Sequence, residues 1–117
     1  MLKVYAYSGC DTCRKALKFL TERGIAHEVV PIREKPPTKA ELKRMLGVYG
    51  GELRKLFNTS GQDYRAQGLG VKLPTMSEAE ALALLASNGN LVKRPFVVTE
   101  DGGVVGFKPE EWETLLG

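Results

Sequence analysis

Residues 7–20 read YSGCDTCRKALKFL, and the two thiols of Cys10-Asp11-Thr12-Cys13 stand where one hydrophobic pattern gives way to another. Upstream, Leu2-Lys3-Val4-Tyr5-Ala6-Tyr7 is rich in residues that suit a pleated strand, and Ser8-Gly9 supplies a turn. Downstream, Cys13, Ala16, Leu17 and Leu20 recur at i, i+3, i+4 and i+7, with Arg14, Lys15 and Lys18 off that face. The spacing predicts a helix from Asp11 to Arg23, with Gly24 as its stop. Both sulfurs therefore fall at the N-terminal end of a helix. Unsatisfied N–H groups and the positive end of the peptide dipole favour an anion there. A thiolate on Cys10 is stabilised by that seat, with Cys13 one turn in and partly shielded.

Ile25 to Ile32 (IAHEVVPI) reads as a second strand, and Pro31 places it at a sheet edge or marks its limit. The chain thus opens β-α-β, and a CxxC at its first turn reads as a thioredoxin-like redox pair. Zinc is the first competing use of such a pair. A closed zinc site takes four ligands, whereas this chain offers Cys10, Cys13 and one histidine, His27, so no metal is expected. A structural disulfide or two idle thiols remain open on spacing alone. His27 itself is read as a strand residue, since nothing places it beside the sulfurs.

The bulk properties are those of a globular chain. At 117 residues one domain is expected, spanning 1–117. Hydrophobic residues make up 43% and charged residues 26%, with a formal net charge of +3. Basic and acidic side chains are interspersed, so direct nucleic-acid contact is not expected, while a small anion or an acidic protein face suits the surface. No signal-peptide pattern opens the chain, and no apolar run approaches the ~18 residues of a membrane span. The expectation is a cytoplasmic monomer with no membrane contact, in which thiols are more often reactive than structural.

After Pro36-Pro37, Thr38-x-x-Glu41 is a capping box opening a helix with Leu42, Met45 and Leu46 inward, broken by Gly47, Gly50 and Gly51. Leu53, Leu56 and Phe57 mark a short helical face, and Ser60 to Leu73 reads as a helical turn plus loop. A second box, Ser77-x-x-Glu80, opens a helix carrying Ala81, Leu82, Leu84 and Leu85, closed by Asn88-Gly89. Phe96–Thr99 and Val104–Phe107 flank Glu100-Asp101-Gly102-Gly103 as a hairpin. Pro109 then starts a last helix with Trp112, Leu115 and Leu116 on one face. The order β-α-β, helices, β-β-α implies an α/β fold with a four-stranded mixed sheet flanked by helices.

Among candidate charges, Arg94 stands just before Pro95 and the third strand, and its forked donors suit an oxyanion or carboxylate. Pro95 lacks a backbone donor and permits a cis bond. Arg54 lies on the polar side of the Leu53-Leu56-Phe57 turn, Lys108 precedes the last helix, and Arg14 follows Cys13 in the first turn.

These residues resemble the arsenate reductase/Spx family of thioredoxin-fold proteins over nearly the full length. The resemblance is carried by YSGCDTCRKALKFL, by LRKLFNTSGQDYR from residue 53, and by LVKRPFVV and GFKPEEW near the end. It implies a helical insertion between the βαβ and ββα halves. It also implies that Cys10 is the catalytic cysteine and that Arg94 and Arg54 bind the oxyanion. Lys108 stands where the enzymes have a third arginine, keeping the charge without the bidentate fork. Ala6 stands where they carry a histidine. Cys13 is shared with Spx-type regulators, which contact the C-terminal domain of the RNA polymerase α subunit.

The function so implied is a thiol oxidoreductase that uses Cys10 and Cys13 to reduce an oxyanion or a disulfide. Thioredoxin, or glutaredoxin with glutathione, would recycle it, with no tightly bound cofactor. The alternative is an Spx-like redox sensor acting through RNA polymerase.

Overall fold

The structure, a computed structural model, describes residues 2–116. Four strands form one mixed sheet in the order β2-β1-β3-β4: β1 (Leu2–Ala6), β2 (His27–Pro31), β3 (Phe96–Thr99) and β4 (Gly102–Val105). β1 runs parallel to β2, with Leu2 opposite His27 and Ala6 opposite Pro31, and antiparallel to β3, with Val4 opposite Val97. The parallel pair needs a crossover, and α1 (Asp11–Glu22) supplies it. Pro31 ends an edge strand, where its missing N–H costs no ladder bond. The arrangement is thioredoxin-like.

Strand alternation divides the core between the two faces of the sheet. Val4, Ala6, Val97 and Val104 join Cys13, Ala16, Phe19 and Leu20 of α1 and Trp112 of the last helix. Tyr5, Val30 and Phe96 meet the inserted helices on the other side. These are α2 (Lys39–Val48), α3 (Gln62–Ala66), α4 (Leu69–Lys72) and α5 (Glu78–Ser87), with 3-10 turns at Leu53–Leu56, Leu73–Thr75 and Gly89–Leu91. The last helix, α6 (Pro109–Leu116), begins at Pro109 as the sequence implies. Among the described residues, no helix is long and apolar enough to cross a membrane.

The first capping box is complete: Glu41 N–H donates to the Thr38 hydroxyl at 3.1 Å, and Thr38 N–H donates to the Glu41 carboxylate at 3.0 Å. The second is half made. Glu80 N–H donates to the Ser77 hydroxyl at 3.1 Å, but the Glu80 carboxylate receives that hydroxyl rather than the Ser77 amide.

Several details depart from the sequence reading, and one is that α2 runs through Gly47 and ends at Val48, so the break falls to Gly50 and Gly51 alone. Residues 60–73 are more helical than a turn plus loop, because Tyr64, Leu69 and Leu73 are buried and Gly68, at φ 63°, makes the break that separates α3 from α4. The second strand is His27–Pro31 rather than Ile25–Ile32. β4 begins at Gly102 rather than Val104, since Thr99 pairs with Gly102 and leaves Glu100-Asp101 as the turn. At Gly103 a Cβ would lie 2.3 Å from the Val97 carbonyl oxygen and 2.4 Å from Met45 Cε, so only glycine fits there. Leu115 is 57% exposed, because Trp112 and Leu116, one full turn apart, form the inward face.

Candidate active site

Cys10 is the N-cap of α1, with extended backbone at φ −100°, ψ 118°. A turn in which Cys10 N–H donates to the Tyr7 carbonyl at 3.1 Å delivers it there. Its sulfur accepts from the Cys13 amide at 3.4 Å, taking one of the helix's otherwise free N–H groups. Both cysteines are free thiols, Cys10 half-buried and Cys13 only 1% exposed.

Burial pushes the Cys13 thiol up to about 12, and the neighbouring Cys10 sulfur adds to the rise. The Tyr7 backbone and the positive charge of Arg94 pull the other way. At neutral pH Cys13 is therefore a protonated thiol held ready beside Cys10.

Cys10 lines an open cleft of about 990 Å³ shared with Arg54, Arg94 and Lys108. Four sequence-singled residues from four separate segments thus meet at one surface. Arg54 rides on the Leu53–Leu56 turn, whose Leu56 is fully buried and anchors it. That turn is tied to the segment before β3 by a bridge between Phe57 and Val92. Asn58 N–H donates to Leu91 O at 2.7 Å and Lys93 N–H to Leu56 O at 2.8 Å. Arg94 is half-buried, and its Nη1 is enclosed with no hydrogen-bond partner among the described residues. The Arg94–Pro95 bond is cis, and the Pro95 carbonyl accepts from Gly106 N–H at 2.9 Å.

Lys108 is exposed and held at the rim by α6. Trp112 is fully buried, its Nε1–H donates to Gly106 O at 3.1 Å, and its ring meets Phe107 edge-on at 4.9 Å between centroids.

Arg14 and His27 lie elsewhere. Arg14 does not line the cleft; it donates to the Ser8 carbonyl at 3.2 Å and pairs with Asp11. His27 Nδ1 is 2.8 Å from Ile25 O, opposite Leu2 at the end of β1 away from Cys10.

The cleft also has walls that the sequence reading did not assign to it: Lys55, Lys93 and the polar loop from Asn58 to Gln62. The loop carried a signal, since NTSG puts small polar residues directly after an apolar turn, and Gly61 packs where a Cβ would sit 2.7 Å from Asn58 Nδ2. In all, five basic side chains face two acidic ones, Glu52 and Glu111, around the Cys10 sulfur. Such a cleft attracts anions toward the Cys10 sulfur.

A model of the ArsC family matches residues 5–115. The chain belongs to the ArsC family. The protein YusI of Bacillus subtilis (strain 168) is 47% identical over 112 residues, covering 96% of this chain and 95% of its own. An arsenate reductase of Neisseria meningitidis serogroup B is 31% identical over 116 residues, covering 98% of this chain and 97% of its own. The crystal structure of an ArsC-family-related protein from Bacteroides fragilis matches with a TM-score of 0.91 at 50% identity, covering 97% of this chain and 96% of that one. This ArsC-family likeness runs through the sheet, the inserted helices and the segments that line the cleft.

Proposed function

We propose that this ArsC-family protein is a cytoplasmic thiol-dependent reductase of an oxyanion or a disulfide, with Cys10 as nucleophile and Cys13 as resolving thiol. The observation that carries the reading is a cysteine sulfur at a helix N-cap, opening onto a cleft lined by five basic side chains, Arg94 among them. An anion in the cleft meets the positive charge of that guanidinium and of its basic neighbours.

With a disulfide, Cys10 thiolate attacks one sulfur and a mixed disulfide forms as the other sulfur leaves and takes a proton. Cys13 then loses its proton and attacks the Cys10 sulfur, releasing the second thiol and leaving a Cys10–Cys13 disulfide. With an arsenate-like oxyanion, Cys10 displaces one oxygen as water. The attack by Cys13 then breaks the bond from sulfur to the central atom, which keeps the electron pair and is reduced by two electrons.

The order follows from the two environments. Before adduct formation Cys13 is held protonated; once Cys10 is bonded to substrate, the part of that rise due to its thiolate is gone. Arg94, with Arg54 and Lys108, neutralises charge on the substrate and leaving group, and Pro95 fixes the backbone behind Arg94. Thioredoxin, or glutaredoxin with glutathione, returns the disulfide to the dithiol.

An NADPH-coupled assay with arsenate and with a model disulfide, each supplied with both reductant systems, tests this reading. Turnover of at least one substrate, lost in Cys10→Ser, is the expected result. Turnover that survives Cys10→Ser, or no turnover by the native protein, overturns it. Capture of the C-terminal domain of RNA polymerase α by a protein without reductase activity would put the redox-sensor reading in its place.

A further inference from the structure

Tyr7 takes no part in lining the cleft, yet it touches both halves of the chemistry. Its main-chain carbonyl accepts from Cys10 N–H at 3.1 Å and so shapes the loop that carries the nucleophile. Its ring lies under the Arg94 guanidinium, 5.3 Å from Cζ to the centroid. The position of the ring is set from below by Gly9, where a Cβ would fall 2.7 Å from Tyr7 Cε2 and 2.9 Å from the hydroxyl.

A second cation shares the ring: Arg33 Cζ stands 4.5 Å from its centroid. Arg33 is pinned in turn, its Nε–H donating to Asn90 Oδ1 at 2.8 Å. Asn90 belongs to the Gly89–Leu91 turn, which packs so tightly on the end of β2 that a Cβ at Gly89 would lie 1.8 Å from Ile32 O. The ring is thus fixed by the fold before any ligand arrives.

We propose that Tyr7 is a positioning residue for Arg94, holding the guanidinium in the attitude that serves Cys10. The proposal rests on Arg94 being the charge partner of the reacting group. A carboxylate in the place of the ring would occupy the guanidinium donors and cancel its charge. An aromatic face holds the same group through its quadrupole without taking its hydrogen bonds, so the positive charge stays uncancelled. Nη1 accordingly makes no hydrogen bond to any of the described residues.

The test compares alkylation of Cys10 by anionic iodoacetate and by neutral iodoacetamide, followed by peptide mass mapping. Distortion of the cysteine loop slows both reagents together, so the ratio of the two rates isolates the placed charge. Arg94→Gln is expected to lower the ratio. Tyr7→Leu should lower it by about threefold, and Tyr7→Phe, which keeps the ring face, should leave it unchanged.

An unchanged ratio in Arg94→Gln removes Arg94 as the charge partner, and with it that part of the proposed mechanism. A ratio that falls in Arg94→Gln but is untouched in Tyr7→Leu overturns the role of Tyr7 alone, as does a fall of equal size in Tyr7→Phe. If circular dichroism shows Tyr7→Leu unfolded, Gly9→Ala displaces the ring with its chemistry intact. The ratio must then fall, and an unaltered one overturns the proposal.

Discussion

The amide of Cys13 reaches the sulfur of Cys10 at 3.4 Å, so the residue that would finish the exchange also supports the anion that would begin it. One thiol is open to the cleft and the other is 1% exposed and held protonated. Their reactivities should separate accordingly. At pH 8, iodoacetamide should modify Cys10 at least ~10-fold faster than Cys13 in the folded protein, and the difference should vanish in denaturant. Mass mapping of partially alkylated protein reads this directly, and comparable rates in the native state would contradict it.

Replacing the sulfurs one at a time should give opposite phenotypes. Cys10→Ser should abolish reductase turnover, because no other thiol faces the cleft. Cys13→Ser should leave the first attack intact and accumulate a mixed disulfide on Cys10, visible as a mass increase that dithiothreitol removes.

Arg94 should show function and stability moving apart. Its Nη1 is enclosed with no partner among the described residues, a state that costs ~1–3 kcal/mol in a folded protein. Arg94→Met should therefore melt no lower than the native protein, although it loses the ring contact with Tyr7. Turnover should fall on the order of 10²-fold if Arg94 neutralises the developing charge. Thermal melts and the coupled assay, run on the same preparation, check both halves.

The Cys13 thiol gives a pH dependence of definite sign. Its ordinary value is 9.0 and burial raises it to about 12 in the fold. Between those values the unfolded chain has released a proton that the folded chain keeps, so rising pH favours unfolding. This contribution is whole below pH 9 and is lost toward pH 12. Its slope is at most about 1.4 kcal/mol per pH unit. Urea unfolding under reducing conditions at pH 7.5 and 10.5 should show a steeper loss in the native protein than in Cys13→Ala.

Two glycines should respond oppositely to alanine. At Gly89 a new Cβ would meet Ile32 O at 1.8 Å, so Gly89→Ala should destabilise by ~3 kcal/mol or fail to fold. Gly47 lies inside α2 with nothing within 4 Å of that position, and Gly47→Ala should stabilise by ~0.5–1 kcal/mol. Denaturant midpoints distinguish the two.

Local chemistry made much of this fold readable in advance. Helix periodicity through Cys13, Ala16 and Leu20, the Thr38–Glu41 box and Pro109 at a first helical turn each declare themselves within a few residues, and the structure places them as read. The strand start at Gly102 did not, because glycine carries no side-chain signal. Its pairing with Thr99 and the fit of Gly103 against Met45 are tertiary facts. The site behaved likewise. Cys10 and Arg94 stood out by residue type and neighbours, whereas Lys93 and the Asn58–Gln62 loop reach the cleft through long-range backbone pairing. The ring of Tyr7 under Arg94 has no counterpart in any periodicity, since 87 positions separate the two residues.

The bridge from Phe57 to Val92 has an evolutionary corollary. It yokes the two arginine-bearing segments by a ladder only a few atoms wide, whatever happens in the long helical excursion between them. Insertions or drift around α3 to α5 need not disturb the spacing of the cations, and the polar stretch from Asn58 to Gln62 hangs from the yoke as an interchangeable lip. If Cys10 works as proposed, rewriting that lip would trade one client for another and leave the sulfur chemistry as inherited.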